Sequence, residues 1–216
     1  MFPLSDVSRH LHRRPVVTVA LIVANILMFA FELSQPEDFV LAWSVIPANV
    51  VSGQNWVTLL TAMFMHGGFM HIIGNMVFLW VFGPEMEDAM GRTKYLLFYL
   101  VGGLAAWIAQ IAADPMSMTP NLGASGAIAA IMGAFVVTFP RDRIRTVLFF
   151  GIFFTVRLIP AMFLIGIWFV LQLISAGIST GQMGGVAYVA HIGGLIFGAL
   201  VGRLLTSRNA ADLSPD

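Results

Sequence analysis

The chain runs GASGAIAAIMGAFVVTFP from Gly123 to Pro140, and this stretch carries no charged residue. A helix that crosses a bilayer needs about 20 mostly apolar residues, with a usual range of about 17–25. The apolar run from Ser125 to Phe139 falls just short of that range. It therefore predicts a helix that lies within a membrane and ends below one of the two surfaces.

Five further stretches have the same apolar character. They are Val16–Leu33, Phe69–Phe82 with its flanks, Lys94–Ala113, Pro160–Ile178 and Val186–Leu205. Of the 216 residues, 58% are hydrophobic and 10% are charged, and the mean hydropathy is +0.87. Soluble domains carry about 25% charged residues, so this chain has too few to cover a solvated surface. We predict an all-α membrane protein, a bundle of six transmembrane helices over residues 16–206.

The basic residues predict how this bundle is oriented. All eleven Lys and Arg lie before the first span, at the turn between the second and third, between the fourth and fifth, or at the end of the sixth and beyond. The other three connections contain none. Because cytoplasmic loops carry the excess of Lys and Arg, we expect residues 1–15 and the tail 207–216 in the cytoplasm. The expected location is the plasma membrane of a bacterium or an archaeon.

Two connections carry predictions of their own. Residues 34–55 form a long connection that contains Trp43 and two prolines. This indicates a structured element in the outer interface of the membrane, where aromatic residues concentrate. Residues 141–159 are partly apolar but contain Arg157, and a charge deep in lipid is costly. We expect an interfacial hairpin or loop there, and a single tilted span from Thr146 is the alternative.

Several kinds of chemistry are excluded by what the chain lacks. It has no cysteine and its net charge is zero, so thiol chemistry and nucleic-acid binding are not expected. The span interiors contain no acidic residue, which excludes a pair of catalytic carboxylates. His66 and His71 are five residues apart with no Glu between them, whereas a zinc-binding HExxH helix places its two His four apart. No metal and no cofactor are predicted, and no oligomeric state is assigned.

Polar side chains inside a membrane are costly and mark candidate functional sites. Those within the spans are Asn25, His71, Asn75, Gln110, Ser125, Gln172 and His191. Ser125 begins the fourth span, where free backbone N–H groups and the positive end of the helix dipole would stabilise an oxyanion. A serine that only caps its helix is the alternative.

Ser125 and His191 are predicted to lie at similar depth. Ser125 precedes Pro140 by fifteen residues, and His191 precedes Arg203 by twelve. At the rise of a helix, these separations place them about 22 Å and about 18 Å above the basic face. A nucleophile and its base need such matching depths.

Small residues lie directly beneath this pair. The sixth span carries Gly194 and Gly198, and the fourth span carries Ala129 and Gly133, each pair four residues apart. Residues of this size let two helix backbones approach closely. The spacing therefore predicts a close contact between the fourth and sixth spans that brings Ser125 and His191 together.

His71 and Asn75 are four residues apart, so they share one face of the second span. Both side chains can donate hydrogen bonds to a developing negative charge, which makes them candidates for an oxyanion hole. A polar contact between helices is the alternative interpretation.

Four motifs resemble the rhomboid family of intramembrane serine proteases, in order and in span position. They are HGGFMHIIGN at 66–75, FGPEMEDAMG at 82–91, GASG at 123–126 and AHIGG at 190–194. The resemblance implies membrane-spanning protein substrates within the lipid bilayer, cut by a dyad of Ser125 and His191 that has no carboxylate. It implies an oxyanion hole of His71, Asn75 and the Ser125 N–H, and a fifth span that moves sideways to admit substrate. By the same resemblance, Glu87 would hold the turn between the second and third spans.

One position departs from the family pattern. Family members often carry an aromatic residue one turn after the serine, packed against the catalytic His, and Ala129 stands there in this chain. The orientation of His191 is therefore left open by the sequence. The alternative function is that of a rhomboid-like protein that binds membrane clients without cutting them. A small transporter would predict an internal repeat, and none is visible.

Overall fold

The computed structural model describes residues 2–8, 11–150, 153–178 and 187–206. The helices are α1 (Val16–Glu32), α2 (Glu37–Ala42), α3 (Pro47–Val51), α4 (Thr58–Thr61), α5 (Phe69–Met90), α6 (Arg92–Ala113), α7 (Ser125–Thr138), α8 (Ala161–Ile178) and α9 (Tyr188–Leu205). The strands are β1 (Phe2–Asp6), β2 (Arg143–Phe150) and β3 (Phe153–Pro160). Each of the six apolar stretches thus forms a helix. Val186, expected to open the sixth span, and the predicted tail 207–216 lie outside the described residues.

Helix α7 lies at the centre of the bundle. Its residues from Gly126 to Phe135 are all buried, and it packs against α5, α6, α8 and, most extensively, α9. Phe82 of α5 meets Phe135 of α7 with ring centroids 5.1 Å apart and ring planes 77° apart, a favourable edge-to-face geometry. A helix that is apolar all round is expected in such a central place, while α1 and α8 expose many apolar side chains outward.

The contact between α7 and α9 depends on glycine. A Cβ atom added to Gly198 would collide with the backbone carbonyl of Ala130, and one added to Gly194 would collide with the carbonyl of Gly126. In the opposite direction, a Cβ atom at Gly133 would meet the carbonyl of Leu195. The backbones of the two helices therefore touch directly, with no side chain between them, as small residues in membrane helices permit.

Glu87 joins the end of α5 to the beginning of α1. Its carboxylate accepts hydrogen bonds from the backbone N–H groups of Val17 (2.9 Å) and Thr18 (2.7 Å) and from the Thr18 hydroxyl (2.9 Å). It thereby satisfies donors that the first turn of a helix leaves unpaired, at the positive end of the helix dipole. Arg92 Nε, at the start of α6, lies 3.9 Å from the same carboxylate. Glu87 thus connects α1 and α5 as well as the turn to α6.

The all-α prediction is wrong at one end of the bundle, where three strands form an antiparallel sheet in the order β1-β2-β3. Residues 143–146 alternate between exposed arginines and buried Ile144 and Thr146, the period of two that suits a half-buried strand. The hairpin expected within residues 141–159 is present as β2 and β3, paired from Arg143↔Pro160 to Phe150↔Phe153. A tilted span from Thr146 is excluded by that pairing.

The N-terminal segment, predicted only as a cytoplasmic extension, contributes the third strand. Phe2 pairs with Val147 and Asp6 pairs with Ile144 along one edge of β2. Burial, with the nearby Asp142 adding to it, raises the pKa of the Asp6 carboxyl. Five residues at a chain terminus carry too short a pattern to identify a strand whose partner lies far along the sequence.

The long connection between α1 and α5 is structured, as expected, and contains the short helices α2, α3 and α4. It is tied to the loop between α6 and α7 by an isolated antiparallel bridge in which Val45 and Asn121 exchange two backbone hydrogen bonds of 2.8 Å. We call this side of the molecule the loop end and the opposite side the sheet end. Helix α7 therefore starts at a rigid position at the loop end.

Three helices among the described residues, α5, α6 and α9, are long and apolar enough to cross a membrane by length and composition. Three shorter apolar helices, at Val16–Glu32, Ser125–Thr138 and Ala161–Ile174, pack beside them. A helix pairs its own backbone N–H and C=O groups, and this is required in lipid, which offers no hydrogen-bond partners. The chain is a helical membrane protein that crosses the bilayer more than once.

The backbone contact of α7 with α9 predicts that two glycine substitutions affect stability differently. Gly198→Ala should lower the free energy of unfolding in detergent by about 1–3 kcal/mol, because the two helices must separate to admit the methyl group. Gly166→Ala in α8 is the matched control, since among the described residues nothing lies within 4 Å of its added Cβ. It should leave stability unchanged or raise it by about 0.5–1 kcal/mol through helix propensity. Equal effects of the two substitutions on the unfolding transition would contradict the close packing.

Candidate active site

Ser125 is the first residue of α7, and its side chain does not cap the helix. The N-cap position belongs to Ala124, and no side-chain capping bond is present there. Instead the Ser125 Oγ lies 2.6 Å from Nε2 of His191. The interpretation of Ser125 as a plain N-cap is therefore wrong. Its hydroxyl is turned from the backbone of its own helix towards α9.

His191 is buried in the first turn of α9, with 7% of its surface exposed. Its second ring nitrogen, Nδ1, lies 2.8 Å from Oε1 of Gln172 on α8. The Trp168 ring lies beside the imidazole, with centroids 5.7 Å apart and planes 36° apart, and Tyr188 meets it edge-on at 6.4 Å. The imidazole is thus held from both sides by α8 and by its own helix.

Gln110 fixes the start of α9. Its Oε1 accepts a hydrogen bond of 3.1 Å from the backbone N–H of Ala190, one of the donors that a helix N-terminus leaves unpaired. Because Ala190 precedes His191 directly, this bond from α6 also sets the height of the imidazole relative to α7.

His71 and Asn75 line the same cavity from α5. Nδ1 of His71 accepts a hydrogen bond of 3.3 Å from the backbone N–H of Gly67, so Nε2 carries the proton of the neutral ring and can donate it. Asn75 is buried, with 7% of its surface exposed. Among the described residues no group accepts a hydrogen bond from its Nδ2. Both residues line the cavity, and each carries an N–H donor.

Gly123 lets the backbone pass between His71 and Ser125. Its φ is +124°, a conformation that favours glycine. A Cβ atom there would lie 2.7 Å from Nε2 of His71 and 3.6 Å from Oγ of Ser125. Its N–H donates to the carbonyl of Ala62 at 2.8 Å, which anchors the turn to the connection before α5. The GASG motif thus supplies a turn as well as the serine.

These groups share one open cavity of about 600 Å³ at the loop end. Its lining includes His71, Asn75, Ser125, Trp168 and His191. The remainder is mostly apolar and comes from α5, α7, the loop before α7, and the residues Gly67 and Ala187 that precede α5 and α9. The cavity therefore places a hydroxyl, an imidazole and two further donors around one space large enough for a peptide segment.

The site contains few charges. Among the described lining residues, the ionisable side chains are those of His71 and His191. Behind them, burial, with His71 adding to it, lowers the pKa of His66 to about 4, so His66 is neutral at physiological pH. No group of three or more His, Cys, Asp or Glu in the described part of the chain is placed to hold a metal ion.

The structure places all the predicted site residues together, and it adds residues that the sequence did not assign. The glycine contacts described above join the predicted packing residues of α7 and α9 beneath Ser125 and His191. Gln172 and Gln110 are visible in the sequence as polar residues within spans, yet nothing there reveals that both act on α9. Trp168 carries no sequence signal, because an aromatic residue in an apolar span is common.

The surroundings of Ala129 explain why this position holds no aromatic residue. Ala129 is fully buried in α7. A Cβ atom added to Gly194 of α9 would lie only 3.3 Å from the Cβ of Ala129. A ring at this position would have to enter the contact between α7 and α9. The aromatic neighbour of His191 is supplied instead by Trp168 on α8.

A serine and a histidine within hydrogen-bonding distance, at a helix N-terminus beside a cavity of a helical membrane bundle, define a candidate intramembrane serine hydrolase site. Residues 53–208 match the family model described as a Rhomboid domain. This match covers more than half of the chain. The chain belongs to the rhomboid family.

Relatives in bacteria and eukaryotes share parts of the sequence. YdcA of Bacillus subtilis, a protein named for the same family, is 32% identical over 135 residues, which cover 60% of this chain and 66% of that protein. The rhomboid protease GluP of Bacillus subtilis is 32% identical over 125 residues, 56% of this chain and 24% of GluP. The mitochondrial Rhomboid protein 1 of Saccharomyces cerevisiae is 26% identical over 192 residues, 85% of this chain and 51% of that protein. The chain thus spans between 24% and 66% of the length of these relatives.

Proposed function

We propose that this protein is an intramembrane serine endopeptidase, with Ser125 as nucleophile and His191 as general base. The observation that carries the proposal is the 2.6 Å contact between Ser125 Oγ and His191 Nε2 inside an open cavity. Membership of the rhomboid family, and a relative named as a rhomboid protease, support the same activity.

The first half of the reaction forms an acyl-enzyme. Nε2 of His191 takes the proton of the Ser125 hydroxyl while Oγ attacks the carbonyl carbon of the scissile peptide bond. The tetrahedral intermediate carries a negative oxygen, which accepts hydrogen bonds from Nδ2 of Asn75, Nε2 of His71 and the backbone N–H of Ser125. The imidazolium then gives its proton to the leaving amine, and the peptide C–N bond breaks.

The second half releases the product. A water molecule from the open side of the cavity gives a proton to Nε2 of His191 and attacks the acyl carbon. The same three donors stabilise the second oxyanion. Its collapse breaks the ester bond, and the proton held by His191 returns to Oγ of Ser125. The new carboxyl product leaves, and both residues regain their starting protonation.

The substrate class follows from the place of the cavity. A transmembrane helix hides its carbonyls in its own hydrogen bonds, so a substrate segment must unwind to reach Ser125. Phe78 of α5 and Trp168 of α8 line the cavity, with ring centroids 6.4 Å apart. Sideways movement of α8 would part these two rings and open a path from the bilayer. The proposed substrates are therefore transmembrane or juxtamembrane segments of membrane proteins.

The proposed topology has six spans, formed by α1, α5, α6, α7, α8 and α9, with both termini in the cytoplasm. The arginines of β2 and β3 at the sheet end support this orientation, since cytoplasmic segments carry the excess of basic residues. The cavity at the loop end would then open outward. Two of the relatives reported above are bacterial, and we propose the plasma membrane of a bacterium or archaeon as the location.

Ser125→Ala should abolish cleavage of a model transmembrane substrate in liposomes and also labelling by a serine-reactive phosphonate, because both need the Oγ nucleophile. Ser52→Ala is the matched control, since Ser52 is exposed in the connection before α4 and bonds only locally, to the carbonyl of Asn49. The Ser52→Ala protein should cleave the substrate and react with the phosphonate as the unchanged protein does. Cleavage that persists in Ser125→Ala would rule out the assigned nucleophile. A folded unchanged protein that neither cleaves nor labels would favour a client-binding role.

Asn75→Ala should lower kcat by about 10²–10³ if its Nδ2 stabilises the oxyanion. Asn25→Ala is a control for the loss of a buried asparagine, because Asn25 donates to the carbonyl of Leu21 within α1 and lies outside the cavity lining. It should affect thermal stability and leave kcat unchanged. A folded Asn75→Ala protein with an unchanged kcat would return Asn75 to a structural role.

The topology is testable by single-cysteine labelling, because the chain has no native cysteine. Met116, 75% exposed in the loop before α7, should as Met116→Cys react with a membrane-impermeant maleimide in intact spheroplasts. Thr93→Cys, exposed at the turn between α5 and α6, should react only after the membrane is permeabilised. The reverse labelling pattern would overturn the proposed orientation.

A further inference from the structure

Both nitrogens of the His191 ring have a partner on a different helix. Nε2 lies 2.6 Å from the hydroxyl of Ser125 on α7, and Nδ1 lies 2.8 Å from Oε1 of Gln172 on α8. A neutral imidazole carries one proton, so one nitrogen donates a hydrogen bond and the other accepts one. The partner at Nδ1 therefore decides which nitrogen faces Ser125 as an acceptor.

The orientation of the Gln172 amide selects the useful form of the ring. With Oε1 facing Nδ1, the ring proton lies on Nδ1, and Nε2 presents a lone pair to the Ser125 hydroxyl. With the amide reversed, its NH₂ group would donate to Nδ1, the ring proton would move to Nε2, and His191 could not take the proton of Ser125. The first arrangement is the one in the structure.

We propose that Gln172 is a positioning residue for the proposed protease, holding His191 in the Nδ1–H form through its amide oxygen. It takes the orienting place that a carboxylate holds in a Ser-His-Asp triad, without touching the substrate. As His191 accepts the serine proton at Nε2, the Nδ1–H bond to the amide oxygen is kept and strengthens with the positive charge of the ring. The inference rests on the proposed function of Ser125 and His191.

A neutral amide suits this position better than a carboxylate would. The described lining of the cavity contains no acidic side chain, and its titratable groups are His71 and His191. An unpaired carboxylate at this depth would be costly to bury. The amide of Gln172 supplies a hydrogen-bond acceptor at much lower cost, because it brings no charge into the bilayer.

Trp168 and Gln172 act from one face of α8. They are four residues apart, so they lie one above the other on the helix, and both contact the His191 ring. Away from this face α8 is exposed, at Ile167, Val170 and Leu171 among others. The base is therefore held in its working form only while α8 lies against α9.

The test compares Gln172→Met with Gln172→Glu in the cleavage of a model transmembrane substrate in liposomes. Methionine has a similar length and removes the amide acceptor, so kcat should fall about 10–100-fold, the range known for residues that orient metal-binding histidines, while KM and the unfolding temperature stay unchanged. Glutamate restores an acceptor at the same place, so most of kcat should return. Leu171→Met, on the exposed side of the same helix, should behave like the unchanged protein.

The pH dependence of kcat distinguishes a positioning role of Gln172 from a role in packing alone. A carboxylate beside Nδ1 stabilises the imidazolium, so in Gln172→Glu the acid-side fall of kcat should move to higher pH. The other titratable side chains near His191 are His71, which lines the same cavity, and Tyr188, which contacts the imidazole ring. Both are the same in the two proteins. This shift can be measured even if Gln172→Met fails to fold.

Two outcomes would overturn the inference while leaving the protease intact. One is a kcat of Gln172→Met equal to that of the unchanged protein. The other is a Gln172→Glu profile with no shift on its acid side. Failure of the proposed function has a different signature, in which the unchanged protein itself neither cleaves the substrate nor reacts with the phosphonate.

Discussion

The direct backbone contact between α7 and α9 determines the geometry of the site. Gly194 and Gly198 of α9 lie against the carbonyls of Gly126 and Ala130, so no side chain separates the two helices below Ser125. A hydrogen bond between a short serine side chain and an imidazole requires this closeness, because its two atoms must lie within about 3 Å of each other. Larger residues at the glycines would move the helices apart and lengthen that bond first.

Hydrogen bonds from neighbouring segments hold the starts of α7 and α9, and a further set joins the surrounding helices. Gln110 of α6 binds the first turn of α9, and Gly123 at the start of α7 is bonded to the carbonyl of Ala62. At the sheet end, Glu87 joins α5 to the first turn of α1. The bonds made by Gln110 and Glu87 pair N–H groups that the first turn of a helix leaves free. Such ties matter in lipid, where water is not available to satisfy the same groups.

The sequence predicts the six long helices and the site residues because both depend on local patterns. A run of apolar residues identifies each span, and small residues below Ser125 and His191 indicate which two spans touch. The sequence did not predict the sheet, because the pairing of its strands is not local. Its strand Phe2–Asp6 pairs with residues about 140 positions away, and no local pattern in five residues specifies such a partner.

The same limit applies to the side chains around His191. The sequence shows a histidine without a carboxylate and with Ala129 in place of an aromatic residue, and it leaves the orientation of the ring open. The answer comes from α8, through Trp168 and Gln172, nineteen or more residues earlier in the chain. Which face of α8 meets α9 depends on the rotation of a helix that is apolar on nearly every side. Its hydrophobic pattern does not determine that rotation.

Asn75 lines the cavity from α5. Its neighbours in α5 on the buried side are apolar, and its Nδ2 finds no acceptor among the described residues although the side chain is buried. Buried donors in folded proteins are nearly always paired, so an unpaired donor on a residue that lines a cavity is a candidate partner for a group that binds there. A peptide carbonyl attacked by Ser125 would place its oxygen among this donor, Nε2 of His71 and the N-terminus of α7. In the proposed mechanism, these donors would bind an oxyanion that exists only during the reaction, and hydrogen bonds made only at that stage increase the rate.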